Sequence, residues 1–394
     1  MTPAARLQAA IELLDDIIAA ARGNGAAADT LIKRYFRDRR YAGSKDRRAV
    51  RDLVYRAIRR YGEAPVNGRA AMVGLAQDEP ALRDLFDGSV YGPAPLGENE
   101  VGALPTDMPQ WLLASFADTL DETDIDSLTG RAPLDIRVNL GRTSREAVLD
   151  QLDGAEAGKL SPSAVRLPQG FPIEQHALWR EGLAEIQDEG SQYIVDRCAA
   201  EPGMTVVDLC AGAGGKTLAL HDRMGGEGRL IACDVDRKRL SRLAPRAARA
   251  GMTGIETRLL DPGKENAALA DITDAADIVL VDAPCSGTGT WRRNPEARWR
   301  LDAQAIARYA ALQAQLLETA APLVKPGGFL VYIVCSLLAR EGEGQIAHFL
   351  QSRSDFSKVD PANDQAVASG DGFVLTPARL GTDGFFFARL QRSC

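Results

Sequence analysis

Two cysteines follow two hydrophobic runs in the second half of the chain. Cys285 lies in the stretch VDAPCSGTG (281–289), and Cys335 follows Tyr332-Ile-Val. If the two runs form neighbouring parallel strands, both thiols face one crevice at the carboxyl edge of a sheet. A single cysteine in such a place is more often core filler than a nucleophile. Two of them beside a ligand-binding loop indicate thiol chemistry.

A glycine-rich stretch, DLCAGAGGKT (208–217), joins a predicted strand to a predicted helix. Its glycines allow the backbone to approach a ligand closely, and the helix N-terminus offers free N–H groups to an anion. A phosphate-binding P-loop requires glycine where Cys210 stands, and a G-x-G-x-x-G dinucleotide loop requires glycine where Thr217 stands. Both patterns therefore fail. The third candidate ligand is S-adenosylmethionine, whose carboxylate would lie at the helix N-terminus.

Three aspartates follow the next predicted strands. Asp234 comes 20 residues after Gly214, a spacing that suits hydrogen bonds to ribose hydroxyls. Asp261 and Asp282 follow the third and fourth strands. One such acid is commonly a loop cap, but acidic or glycine-rich residues at four strand ends favour a binding site over a set of caps.

The elements that would hold these residues form a regular alternation after Pro202. Five strands separated by helices predict a parallel doubly wound sheet, and two later strands predict an antiparallel hairpin at one edge. The predicted strands are Thr205–Leu209, Leu230–Cys233, Glu256–Leu260, Ile278–Val281, Phe329–Val334, Phe373–Thr376 and Phe385–Leu390. Residues 106–200 predict a small α+β unit that includes a strand at Leu134–Leu140.

The N-terminal segment predicts three helices and carries a dense block of positive charge. Residues 33–60 contain 12 Lys or Arg and 3 Asp, a local charge of +9 in a chain whose net charge is -7. Such a block is typical either of a polyanion-binding element or of a solvated helix face. Farther along, arginines alternate with tryptophans in WRRNPEARWR (291–300). This pattern suits phosphate contact and base stacking, or an ordinary surface loop with one buried tryptophan.

The composition excludes several other classes. The 394 residues include 45% hydrophobic ones, enough for a sizeable core, but no apolar run long enough to span a membrane. The N-terminus lacks a signal-peptide pattern. The 6 cysteines are scattered and only 3 histidines are present, so neither a disulfide framework nor a metal site is expected. We therefore expect a reduced, cytoplasmic protein.

One reaction needs both a thiol and S-adenosylmethionine: methylation of carbon 5 of a pyrimidine. That carbon is a poor nucleophile until a thiolate adds to carbon 6. Once a methyl group has been added to carbon 5, a base removes the proton there and the thiolate leaves. The target base must also be unstacked to reach the pocket. The spacing of the residues does not tell which cysteine attacks.

The sequence resembles the Sun/Fmu family of RNA cytosine-5 methyltransferases. The resemblance implies the class I S-adenosylmethionine-dependent fold, with a mostly parallel seven-stranded sheet. The stretches that carry the resemblance are DLCAGAGGKT (208–217), CDVDRKRL (233–240), VDAPCSGTGTWRRNPEARWR (281–300), YIVCSLLAREGEGQ (332–345) and GTDGFFFARL (381–390). The chain departs in detail: Gly212-Ala213 stands where Ala-Pro is commoner, Val334 where threonine is usual, and Gly342 where asparagine is frequent.

The resemblance implies roles for individual residues. Cys335 would be the nucleophile, and Cys285 would assist release of the product. The cofactor contacts it implies are Cys210, Ala211, Gly212, Ala213, Gly214, Gly215, Lys216, Asp234, Asp261 and Asp282. No metal is implied.

A weaker resemblance links SKDRRAVRDLVYRAIRRYG (44–62) to NusB-like RNA-binding domains. It predicts a NusB-like helical domain at 1–75, a linker at 76–105, an RNA-recognition-like α+β domain at 106–200 and the catalytic domain at 201–394. This architecture is similar to that of family members acting on small-subunit (16S) rRNA. We therefore expect a monomeric enzyme whose partner is that RNA or its precursor. The alternatives are the same chemistry on tRNA and a non-catalytic RNA-binding assembly factor.

Overall fold

The computed structural model describes residues 1–23, 25–360 and 365–394. The chain divides into two compact units, which we call unit 1 and unit 2. Unit 1 comprises Met1–Phe116, Leu128–Gly130 and Thr290–Ala303, and unit 2 comprises Ala117–Ser127, Arg131–Gly289 and Gln304–Cys394. Residues 76–105, the predicted linker, lie in unit 1. The division into the four predicted segments stays a prediction. Across the described ranges, every helix is too short or too polar to cross a bilayer.

Unit 1 is built from helices. These are α1 (Pro3–Arg22), α2 (Ala28–Arg37), α3 (Ser44–Arg60), α4 (Gly68–Asp78), α5 (Pro80–Arg83) and α6 (Gln110–Leu113). The apolar positions of α1 recur at intervals of three and four, so Leu7, Leu14 and Ile18 lie on one buried face against α3 and α4. The three helices predicted from the sequence are therefore present, and α4 and α5 continue the unit beyond them.

The arginine- and tryptophan-rich segment 291–300 belongs to the interior of unit 1. Arg298 is 2% exposed, and its guanidinium donates to the carbonyls of Ile58 (2.8 Å) and Arg59 (3.0 Å) at the C-terminal end of α3. Trp299 donates its indole N–H to the carbonyl of Tyr61 at 2.8 Å. Of the alternatives that the sequence left open for this segment, phosphate contact and base stacking do not fit Arg298 and Trp299, because these buried groups cap helix-end carbonyls instead.

Unit 2 begins with a small antiparallel sheet in the order β2-β3-β1-β4. Its strands are β1 (Leu134–Val138), β2 (Glu156–Ala157), β3 (Ala164–Leu167) and β4 (Ala184–Ile186). The accompanying helices are α7 (Glu122–Asp126), α8 (Arg145–Leu149), α9 (Ala177–Arg180) and α10 (Glu189–Cys198). Alternate residues of β1 pack into an apolar cluster through Ile136 and Val138. This is the α+β arrangement predicted for the region.

The rest of unit 2 is a nine-stranded sheet flanked by helices. Its strands are β5 (Thr205–Asp208), β6 (Arg229–Asp234), β7 (Ile255–Leu259), β8 (Ala276–Asp282), β9 (Val324–Val334), β10 (Phe356–Lys358), β11 (Val367–Ser369), β12 (Gly372–Leu375) and β13 (Phe385–Arg392). The helices are α11 (Gly215–Arg223), α12 (Arg237–Leu240), α13 (Leu243–Ala250), α14 (Glu265–Ala268), α15 (Ala303–Ala320), α16 (Glu343–Ser352) and α17 (Pro377–Leu380).

The strand order is β11-β12-β13-β9-β8-β5-β6-β7, with β10 paired to β13. Strands β5 to β9 are parallel to one another. On the other side of β9, strand β13 is antiparallel to β9, and β12 is antiparallel to β13. The fold class is thus the predicted α/β class. The seven predicted strands are all present, and the predicted count of seven is too low because the short β10 and β11 extend the antiparallel side.

Candidate active site

The order of the strands brings the predicted site residues together. Strand β5 lies between β6 and β8, so the order in which the chain adds strands to the sheet reverses there. Ligands of doubly wound sheets bind at such a point. The glycine loop follows β5, while Asp234 and Asp282 end β6 and β8. Strand β9 pairs with β8 on the other side, which places Cys335 next to the loop that carries Cys285.

The glycine loop has a conformation that few other residues could adopt. Gly212 and Gly214 have φ values of 56° and 84°, in the left-handed region. A Cβ atom on Gly214 would also lie 2.1 Å from a methyl carbon of Leu243. At Gly215, the first residue of α11, an added Cβ would meet nothing within 4 Å. The N-terminus of α11 is therefore open to a ligand.

Asp234 holds the glycine loop in place. One carboxylate oxygen accepts the N–H of Gly212 at 2.7 Å, and the other accepts the N–H of Asp236 at 2.7 Å. Each oxygen retains a lone pair, so the same carboxylate can still accept a hydroxyl hydrogen. Asp261, by contrast, is exposed, two residues beyond the end of β7. The predicted cofactor contacts of both aspartates stay predictions.

Lys216 and Asp282 form an ion pair that sequence reasoning did not find. The ammonium of Lys216 lies 2.7 Å from the Asp282 carboxylate, and the lysine side chain is 11% exposed. Burial lowers the pKa of Lys216, but the charges of Asp282 and Cys335 raise it by more, so the lysine stays cationic. The sequence signal that could have predicted this ion pair is that Lys216 and Asp282 both follow strands that are adjacent in the sheet, at the carboxyl edge.

The two predicted catalytic cysteines are in contact. Their sulfur atoms lie 3.4 Å apart, and both cysteines are partly exposed free thiols. A hydrogen bond to Cys335, burial and the charge of Glu341 raise the pKa of Cys285 well above that of an ordinary thiol. Cys285 is therefore a protonated thiol at neutral pH, in hydrogen-bond contact with the sulfur of Cys335.

The other cysteines near the sheet have no such arrangement. Cys198 and Cys233 are buried among apolar side chains, and burial raises the pKa of each to about 12. Burial likewise raises the pKa of Cys210 in the glycine loop. Cys198 and Cys233 are therefore unreactive core thiols at neutral pH, and the partly exposed Cys210 is a protonated thiol. Among the described residues, the structure contains no cluster of side chains that could ligate a metal ion.

Two buried carboxylates behind the loops were not predicted. Asp208 ends β5 and accepts a hydrogen bond from the Thr217 hydroxyl at 2.6 Å, while its other oxygen lacks a partner. Burial raises its pKa to about 7. Glu341 is completely buried and lies between the two cysteine loops. In the sequence, Glu341 is one of two glutamates in the stretch YIVCSLLAREGEGQ (332–345), and no role was predicted for it.

Comparison with known proteins identifies the family. The family described as 16S rRNA methyltransferase RsmB/F matches residues 193–391. This chain belongs to that family. Membership confirms the predicted enzyme class, an RNA methyltransferase that uses S-adenosylmethionine as methyl donor.

Individual relatives and solved structures agree with this assignment. The ribosomal RNA small subunit methyltransferase B of Erwinia tasmaniensis is 34% identical over 293 residues, which cover 72% of this chain and 66% of that protein. The chain spans about two thirds of the length of the curated relatives it matches.

The crystal structure of PH0851 has a TM-score of 0.76 at 24% identity and covers 98% of this chain and 99% of its own. NSun6 from Pyrococcus horikoshii with SFG, an analogue of S-adenosylmethionine, has a TM-score of 0.62 at 17% identity. It covers 69% of this chain and 94% of its own. Both structures share the fold of this chain.

The buried carboxyl of Asp208 predicts a pH dependence of stability. Its pKa rises from 3.8 in the unfolded chain to about 7 in the folded protein, so the folded state binds a proton that the unfolded state has released. Wild-type stability therefore falls as pH rises across this window. The full effect is roughly 4 kcal/mol. Asp208→Asn should lack this loss, so the variant gains stability relative to wild type between about pH 4 and about pH 7.

Chemical unfolding at about pH 5 and about pH 8 measures this difference. Asp236→Asn is the matched control, since Asp236 is an exposed helix cap of α12 in the same unit. A constant difference between Asp208→Asn and wild type at both pH values would contradict the prediction.

Proposed function

We propose that this protein transfers a methyl group from S-adenosylmethionine to carbon 5 of a cytosine in small-subunit (16S) rRNA, through a covalent adduct at carbon 6. The observation that carries the proposal is the 3.4 Å contact between the Cys285 and Cys335 sulfurs, beside an open glycine loop. Transfer to a nitrogen or a ribose oxygen needs no thiol, whereas transfer to carbon 5 needs a thiolate nucleophile.

The residues around the glycine loop fit S-adenosylmethionine, which supplies the methyl group when it is bound. Gly215 at the N-terminus of α11 presents free N–H groups and open space to a carboxylate. Asp234 keeps acceptor positions for ribose hydroxyls, and the segment Cys210–Lys216 forms the wall of the site. Asp282 and Asp261 complete the proposed set of contacts at the ends of β8 and β7.

Cys335 is the proposed nucleophile. Cys285 keeps its proton because its pKa is raised by the hydrogen bond to Cys335, by burial and by Glu341. The largely buried, cationic Lys216 lies at the same edge of the sheet, where it is paired with Asp282. The Cys335 thiolate adds to carbon 6 of the cytosine, and the electron pair moves to carbon 5, which then accepts the methyl group.

Release of the product requires removal of the carbon 5 proton and departure of the Cys335 sulfur. Cys285 is the proposed aid to this step, because its sulfur lies against the atom that must leave. A water molecule acting as base takes the carbon 5 proton, the electrons of that bond form the carbon 5–carbon 6 double bond, and the Cys335 sulfur departs as a thiolate with the electron pair of the carbon 6–sulfur bond. Without Cys285 the adduct would form and then persist.

Unit 1 is the proposed RNA-holding part, in the manner of a NusB-like domain. Its basic surface consists of exposed side chains that form no ion pair with a described residue: Lys33, Arg34, Arg40, Lys45, Arg47 and Arg48. Free cations at this density attract a phosphate backbone and release its counterions. The names of the relatives, ribosomal RNA small subunit methyltransferase B, favour rRNA over tRNA as the substrate. Intact cysteines and an intact cofactor loop argue against a non-catalytic assembly factor.

Substitution of the two cysteines should separate their roles. Wild type, Cys285→Ala and Cys335→Ala are each incubated with S-adenosylmethionine and unmodified 16S rRNA, then run on a denaturing gel. We expect a nuclease-sensitive protein–RNA adduct that accumulates with Cys285→Ala alone. Cys233→Ala is the matched control, because Cys233 is a buried thiol outside the pair.

An adduct with Cys335→Ala instead would reverse the assignment of the two cysteines. Absence of an adduct with every variant, while wild type methylates rRNA, would contradict the covalent mechanism. Activity on tRNA but not on rRNA would support the proposed reaction and contradict rRNA as its substrate.

Neutralising part of the basic surface should weaken RNA binding without changing cofactor binding. The triple variant Arg40→Ala, Lys45→Ala, Arg48→Ala removes three positive charges. If each contacts a phosphate, the slope of log binding constant against log salt concentration falls by about 2 to 3. Filter binding of 16S rRNA over a salt series measures this slope.

A second triple variant controls for net charge. Lys238→Ala, Arg242→Ala, Lys264→Ala removes the same charge from exposed residues of unit 2 that lie outside the predicted RNA-recognition-like domain. Equal weakening by the two triple variants would show that overall charge, and not the basic surface of unit 1, determines binding.

A further inference from the structure

We propose that Glu341 is the positioning residue that holds the two cysteine loops in register and so sets the distance between the two sulfurs. The proposal deepens the proposed function and rests on it. Glu341 touches neither sulfur through a hydrogen bond; it acts on the residues that follow each cysteine. It lies six residues after Cys335, in the turn between β9 and α16.

The carboxylate binds the loop of Cys285 at its next residue. One oxygen accepts the backbone N–H of Ser286 at 2.9 Å, and the other oxygen accepts the Ser286 hydroxyl. Because a backbone N–H is a fixed donor, the first bond restrains the main chain directly beside Cys285. Ser286 is 6% exposed, so water does not compete for these bonds.

The same carboxylate binds the loop of Cys335 at its next residue. The Ser336 hydroxyl donates to Glu341 at 2.6 Å, to the oxygen that also accepts the Ser286 hydroxyl. The two serine oxygens lie 3.1 Å apart. One side chain thus links the residues immediately after both cysteines, which are 50 positions apart in the chain.

Two further groups fix Glu341 itself. The Tyr332 hydroxyl donates to the Glu341 carbonyl at 2.7 Å, which ties its main chain to β9. The Gln313 amide of α15 donates both to the Glu341 carboxylate (3.1 Å) and to the carbonyl of Pro284 (2.9 Å). The carboxylate accepts four hydrogen bonds in all, so its buried charge is satisfied and its position is determined from three elements.

The hydrogen bonds of Glu341 restrain the two cysteine loops at a place where the two strands alone do not. The pairing of β8 with β9 brings the two loops near one another, but both cysteines lie beyond the paired residues, where the ladder has ended. A reacting sulfur displaced by about 1 Å can lose about 100-fold in rate. The Glu341 network supplies the restraint at the point where the sheet stops doing so.

Two substitutions separate hydrogen bonding from charge. Glu341→Gln keeps a carbonyl oxygen for the N–H donors of Ser286 and Gln313, and its amide can donate to the two serine hydroxyls. Glu341→Ala removes every bond. Glu343→Ala is the matched control, since that nearby carboxylate binds Ser369 and neither cysteine loop.

Two readouts are taken for each variant. Steady-state methylation gives kcat and KM. Titration with phenylarsine oxide, which bridges two neighbouring thiols, reports the distance between Cys285 and Cys335 without any methyl transfer. Every protein in this titration also carries Cys394→Ser, which removes the exposed thiol. The second readout needs neither RNA nor S-adenosylmethionine, so it tests the positioning role even if the proposed function fails.

We expect Glu341→Ala to lose about 100-fold in kcat with KM for RNA within about twofold of wild type. Its arsenical affinity should fall about tenfold as the thiols separate. Glu341→Gln should stay within about fivefold of wild type in both readouts, and Glu343→Ala should match wild type. If Glu341→Ala does not fold, Ser336→Ala, which removes one of the four hydrogen bonds to the Glu341 carboxylate, should show the same changes to a smaller degree.

Three results would overturn the proposal. The first is wild-type arsenical affinity and kcat in Glu341→Ala. The second is a loss in Glu341→Gln as large as in Glu341→Ala, which would make the charge, not the position, the contribution of this residue. The third is a rise in the KM values for RNA and for S-adenosylmethionine as large as the fall in kcat, which would reveal a general disruption of the sheet.

Discussion

The parallel pairing of β8 with β9 is the constraint on which the site depends. Asp282 lies opposite Ile333 in this ladder, so each strand ends within three residues of its cysteine. Were the register shifted by two residues, one sulfur would move by roughly 7 Å along the strand direction and the pair would be lost. Residues 278–281 of β8 and 330–334 of β9 are buried on both faces, which is why these segments are continuous hydrophobic runs and why their register is fixed.

The remaining site residues are attached to the same edge of the sheet by neighbouring strands. The glycine loop follows β5, and its shape is set by Asp234 from β6 through the Gly212 N–H. Lys216 reaches across from the start of α11 to Asp282 on β8. Cofactor loop, cation and thiols are thus coupled through three adjacent strands, and this explains how one edge of one sheet can combine binding with thiol chemistry.

Sequence reasoning predicted those parts of the protein whose signals are local. Hydrophobic runs ending in Asp234, Asp282 and Cys335 marked strands and site residues at once, because strand ends of a parallel sheet are also its binding edge. The resemblance to a known family added the roles of the cysteines. Family membership is confirmed by comparison, while the individual roles await the experiments above.

The misses share a physical cause: the partners are distant in sequence. Arg298 has the same local pattern whether it faces RNA or the carbonyls at the end of α3, and only the tertiary structure decides. Glu341 looks like one acid of a surface motif until Ser286 and Ser336 are seen on its two oxygens. The short strands β10 and β11 have too few residues to show a period.

The most direct test of the account is the fate of the hydrogen on carbon 5. A 16S rRNA transcript carrying tritium at carbon 5 of its cytidines is incubated with the protein and S-adenosylmethionine, and released tritium is compared with methyl groups incorporated. The account predicts one tritium released for each methyl group transferred. Methyl incorporation without tritium release would place the methyl group on another atom and contradict the covalent role of the two cysteines.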